Sequence, residues 1–265
     1  MDDAFPPVVK ELLEPSEPWH YCRKKRGCHR DLAKLNHYCA ASHYGCTWGF
    51  TIYRTVYTPE SDELFPKALE VLNKIVRRYT HVQIDWVRPV WNPDPAPNNE
   101  LLRRFRNEVI EDPVALNNAT VEAIAARFRA FAEELSPCPG YENEDTRYRV
   151  CLMVDEQAMR NLLRVPEYEE RDDKGAAYFL CCPVISTWAD EGDGLGVFWF
   201  YGAWKLLPSL WFGLLDVPLY LVVTSDPVRP GVLWHAGLGA EDSDNFMSAP
   251  WLGETGEAWL PWLCE

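Results

Sequence analysis

Cys22, Cys28, His29, His37, Cys39, His43 and Cys46 crowd into one short stretch of a 265-residue chain, with His20 just outside it. Between residues 20 and 46 fall four of the nine cysteines and four of the six histidines. Thiolate and imidazole are the donors zinc prefers, and closely spaced pairs lower the chain entropy lost when the ion binds. Cys22-x5-Cys28 and Cys39-x3-His43 form two such pairs, the second at the spacing of one helical turn, so Cys22, Cys28, Cys39 and His43 are the candidate ligands of a structural zinc. No pair has the tight Cys-x2-Cys spacing of the common zinc modules, and the competing reading is a set of unligated thiols and imidazoles.

A second constellation involves charge on a strand. Trp48 to Tyr57 is rich in β-branched and aromatic residues. Alternation places Phe50, Ile52, Arg54 and Val56 on one face and Thr51, Tyr53, Thr55 and Tyr57 on the other. Arg54 therefore interrupts an apolar face, and a buried guanidinium must find a carboxylate or carbonyls. Asp155 and Glu156, which end a later strand, and Asp85 are the expected partners. Arg54, Asp155 and Glu156 form the candidate catalytic set, an anion-holding arginine beside a general acid or base, with a structural ion pair as the alternative.

Other groups with chemical potential read as structure. Asp190-Glu-Gly-Asp193 is acidic but lacks the ligand spacing of a calcium loop. His235 stands alone, and Cys181-Cys182 sits in an apolar strand as buried thiols. Of the twelve tryptophans eight lie from Trp188 onward, and this excess raises the expectation of an aromatic pocket for an apolar ligand or partner.

The elements that must position these groups follow from periodicity. Residues 1–47 read as an irregular Cys/His-rich leader, residues 48–240 as an α+β domain, and residues 241–265 as a Trp/Pro-rich segment packed on it. After the first strand, Ser61-Asp62-Glu63 opens a helix whose apolar face includes Leu64, Ala68, Leu72 and Ile75. His81 to Trp86 reads as a return strand, Asn99 to Ile110 and Thr120 to Leu135 as helices, and Tyr148 to Val154 as a strand followed by a helix to about Leu163. Further strands are expected at Ala177–Thr187 and Gly196–Tyr201. Two strand-then-helix units predict a duplicated ferredoxin-like arrangement, with helices on one face of a mainly antiparallel sheet.

Trp48-Gly-Phe-x-Ile-Tyr-Arg-x-x-Tyr57, with Thr58-Pro-Glu-Ser-Asp62 after it and the strand Tyr148 to Glu156, resembles a group of uncharacterised filamentous-fungal proteins. The resemblance covers about half of the chain and carries no known activity. It implies an intracellular, lineage-restricted protein of the kind found in metabolite gene clusters.

Net charge bounds the partners. A formal charge of −14 opposes binding to a phosphate backbone, and the basic run Arg23 to Arg26 is short. The amino terminus lacks a basic start followed by an apolar stretch, so a reducing, cytoplasmic compartment is expected. Val197 to Val223 is apolar, but Lys205, Pro208, Gly213 and Pro218 oppose a membrane helix and favour a buried strand followed by a core helix. These readings converge on a cytosolic accessory or catalytic protein of specialised metabolism acting on a small aromatic or apolar molecule. The alternative is a non-catalytic protein-interaction module stabilised by zinc.

Overall fold

The computed structural model describes residues 28–39, 47–87, 95–135, 146–170, 180–186, 199–204 and 207–214. The chain runs α1 (Cys28–Cys39), β1 (Thr51–Arg54), α2 (Pro59–Val87), α3 (Ala96–Arg104), β2 (Glu108–Ile110), α4 (Val121–Leu135), α5 (Thr146–Arg149), β3 (Val150–Val154), α6 (Glu156–Glu170), β4 (Cys181–Ser186), β5 (Trp199–Ala203) and α7 (Leu207–Leu214). No helix among the described residues is long and apolar enough to cross a membrane.

One five-stranded sheet organises the molecule, in the order β2-β1-β3-β4-β5. β1 runs parallel to both β2 and β3, whereas β3–β4 and β4–β5 are antiparallel. Alternation along each strand sorts the core into two layers. Phe50, Ile52, Val56, Val150, Leu152, Val154, Cys182 and Val184 face one layer, filled from α1, α2, α3, α6 and α7. Tyr53, Cys151, Met153 and Ile185 face the other, beneath Ile124, Ala125 and Phe128 of α4. Strands buried on both faces read as continuous apolar runs, as Val150 to Val154 does.

The fold is mixed α+β, but it differs in two ways from the ferredoxin-like, mainly antiparallel sheet expected above. Two of the four strand pairings are parallel, and α4 covers the second face. One of the parallel pairings and the crossover onto the second face come from β2. The stretch Asn99 to Ile110, expected as one helix, stops at Arg104 because Phe105 turns extended and the Trp48 N–H takes the Arg104 carbonyl. Glu108 to Ile110 then pairs with β1. The Asn107 side chain assists by accepting the Phe50 N–H at 2.9 Å. From this edge the chain crosses through α4 to β3 on the far side of β1. Right-handed crossovers in opposite directions place α2 and α4 on opposite faces.

Two further expectations are corrected. His81 to Val87 continues α2 rather than returning as a strand. The leader is not irregular over residues 28–39: Cys28, Leu32 and Leu35 form an i, i+4, i+7 stripe that buries against the main core. The expected strand followed by a core helix at Val197 onward corresponds to β5 and α7, and the segment 241–265 lies outside the described residues.

Candidate functional site: the carboxyl edge of the parallel strands

Because β1, β2 and β3 are parallel, their carboxyl ends lie on one edge, which also receives the amino ends of α2 and α6. The order in which the chain visits its strands reverses between β1 and β3. In open α/β sheets the crevice outside such a reversal is the usual ligand position.

Arg54 ends β1 at this edge and is buried. Its Nε donates to the Val56 carbonyl at 2.9 Å, Nη1 to Glu111 at 2.9 Å, and Nη2 to Ser61 Oγ at 3.0 Å and to the Asp62 carboxylate. The guanidinium carbon lies 4.7 Å from the Tyr57 ring centroid and 4.8 Å from that of Phe65. Burial works against the charge, but the hydrogen bonds that Arg54 gives to Glu111 and Asp62 outweigh it and hold Arg54 above its ordinary pKa. The expectation of a paired buried guanidinium holds, with Asp62 and Glu111 as its partners in place of Asp155 or Glu156; the side chain of Asp85 lies outside the described residues.

Neighbouring groups lock the same corner. Tyr57 Oη donates to the Arg54 carbonyl at 2.9 Å and accepts the Asp112 N–H at 2.8 Å, and burial raises its pKa. Thr58 and Ser61 exchange backbone and side-chain hydrogen bonds at the start of α2, a reciprocal cap. Asn118, at φ 56°, donates its N–H to the Thr55 carbonyl at 2.9 Å.

Asp155 and Glu156 reach the same edge but take other roles. Asp155 caps α6 by accepting the Ala158 N–H at 2.7 Å, and Glu156 pairs with Arg160 at 2.7 Å on the surface. Arg160 also approaches Glu60 at 3.5 Å. The helix starts are thus capped by the chain's own side chains, and Thr55 to Thr58 contains no glycine that would let a phosphate approach the backbone. The edge is acidic instead: Glu60, Asp62, Glu63, Glu111 and Glu156 are all exposed.

Of the candidate zinc ligands, Cys22 and His43, and the side chain of Cys39, lie outside the described residues. Cys28 packs in the core with its Sγ 3.7 Å from the Thr80 carbonyl, and burial pushes its thiol up to about 12. Cys28 and Cys39 begin and end the same twelve-residue helix. At the α-helical rise that separates them by about 16 Å along its axis, so one ion cannot take both while α1 is formed. Among the described residues no group of three or more His, Cys, Asp or Glu side chains converges as a metal site.

The tryptophans whose side chains are described also differ from a ligand-lining set. Trp48, Trp204 and Trp211 are fully buried, Trp199 is half-buried against the second core layer, and Trp48 packs on Phe105, Trp211 and Phe212 with ring centroids 4.8 to 5.8 Å apart. Aromatic composition could not separate these core roles from a pocket. Comparison with protein-family models, with curated proteins and with solved structures finds no match to this chain.

Proposed function

We propose that this chain is a non-catalytic interaction module that receives a Lys/Arg-bearing segment of a protein partner along the carboxyl edge of β1, β2 and β3. The observation that carries this reading is the pairing of Arg54 with two carboxylates of its own chain. The cation that could have held an anionic substrate there already gives four hydrogen bonds, to Val56, Ser61, Asp62 and Glu111, and two of these acceptors are carboxylates. Arg160 is likewise paired, and the exposed carboxylates around them leave a field that favours a cationic partner.

The test compares binding of a lysine/arginine-rich peptide with that of a glutamate-rich peptide of equal length. The basic peptide should bind with an affinity that falls as salt rises. Glu60→Gln with Glu156→Gln, which leaves the Arg54 network intact, should weaken binding about tenfold, equivalent to about 1.4 kcal/mol. Glu133→Gln with Glu134→Gln, removing equal charge from the exposed end of α4, should leave it unchanged. Equal losses in both variants would show attraction by net charge alone and overturn the proposal.

A further inference from the structure

Away from that edge, the junction of α1 and α3 holds a buried network with a surplus of positive charge. Glu100 and Arg104 of α3 are 5% and 4% exposed, and Arg103 beside them is 34% exposed. Glu100 Oε1 accepts Arg104 Nε and Arg103 Nη2, each at 2.6 Å, and Oε2 accepts Arg103 Nε at 2.7 Å. Hydrogen bonds from Arg103, outweighing burial, hold the Glu100 carboxyl below its usual range, so two guanidiniums share one carboxylate. Arg104 Nη1 donates to Asn36 Oδ1 of α1 at 2.6 Å. Arg104 Nη2 is buried and has no hydrogen-bond partner among the described residues.

Three carbonyls at the end of α3 are taken by other groups: Leu101 by the Trp48 indole N–H at 2.7 Å, Leu102 by the Phe105 N–H at 3.3 Å, and Arg104 by the Trp48 N–H at 3.1 Å. Both Glu100 oxygens are occupied. A buried charged donor without a partner is costly, and a guanidinium edge matches a planar or tetrahedral oxyanion. Arg103 and the half-buried Asn36 are the members of the network that reach solvent.

We propose that this junction is a binding site for a small oxyanion, a carboxylate or phosphate group seated on Arg104 Nη2 between α1 and α3. The site is independent of the acidic edge, and its charge selects the opposite class of ligand.

Thermal unfolding of the full chain in sodium phosphate, sodium acetate or sodium chloride at matched ionic strength tests it. Phosphate or acetate should raise the melting temperature saturably by about 3 °C or more above chloride. Arg104→Met should abolish the increment. Should that variant fail to fold, Asn36→Asp keeps the test open. A carboxylate at position 36 supplies the missing negative charge from within, so this variant should melt higher than the parent in chloride and respond less to phosphate. No saturable response in the parent, or an unchanged response in both variants, would overturn the proposal, and the former would mean that only water meets Nη2.

Discussion

Removing the Arg54 guanidinium and removing its acids are unequal perturbations. The Arg54 side chain is 7% exposed, whereas Asp62 is 62% and Glu111 49% exposed. In Arg54→Met both carboxylates can turn to water, so the cost is set by lost hydrogen bonds and ring contacts, about 2 kcal/mol. In the double variant Asp62→Asn with Glu111→Gln the cation stays buried without an opposing charge, and the loss should reach about 3–5 kcal/mol. Either acid alone should cost less than about 1 kcal/mol, since the other remains. Urea unfolding of the four variants checks the order, and equal effects would mean that Arg54 is not desolvated. Strand alternation made the need for a partner acid legible. It could not name the acids, because Asp62 arrives through the first turn of a helix and Glu111 through a strand whose flanking sequence reads as helical.

At the level of elements, the join between the leader and β1 turns on Gly49. Its φ is 136°, and a Cβ there would lie 2.2 Å from the Arg106 carbonyl oxygen. That contact is with backbone, and Arg106 is held in place by donating its N–H to the Trp48 carbonyl at 2.8 Å. Gly49→Ala should therefore destabilise by about 3 kcal/mol or more, combining positive-φ strain with a displaced β1–β2 approach. Chemical denaturation measures the loss, and a variant as stable as the parent would refute the tight approach. β1, β3, β4, α4 and the start of α2 were readable because period and burial agree there. α1 was not, since its apolar stripe of Cys28, Leu32 and Leu35 lies among residues that also read as metal donors. β2 was hidden because three residues are too few to declare a period, and its pairing depends on partners distant in sequence.

For the molecule as a whole, the buried thiols set an alkaline limit. Burial pushes Cys28 and Cys181 up to about 12, and Cys151 and Cys182 well above the ordinary value. A thiol whose folded pKa is raised contributes stability that is complete below its unfolded pKa near 9. That contribution is lost as pH climbs toward the folded value, because the unfolded chain releases the proton first. The unfolding free energy, and with it the urea midpoint, should fall steadily from pH 9 to pH 11, the free energy with a limiting slope of about 1.4 kcal/mol per pH unit for each thiol. Cys151→Ala should reduce that slope, though it removes core volume, and a midpoint flat across this range would contradict full burial. The overall topology was less legible than the elements. Two strand-then-helix units are visible in sequence, but whether a crossover passes above or below the sheet depends on which side the next strand joins.

Helix α7 closes the core late. Its Trp211 indole donates to the Gly49 carbonyl at 2.9 Å, its Phe212 carbonyl accepts the buried Lys34 ammonium at 3.2 Å, and its Leu214 carbonyl accepts Arg149. On the ribosome, some 160 residues separate β1 from the segment that seats its aromatic flank, a delay of roughly ten to thirty seconds at ordinary synthesis rates. Throughout that interval Trp48 lacks its Trp211 and Phe212 neighbours, so a nascent chain halted before residue 207 presents a sticky aromatic seat to chaperones and proteases. Fusions and domain boundaries drawn upstream of α7 should yield poorly soluble products, while those that retain residues 207–214 keep the seat covered.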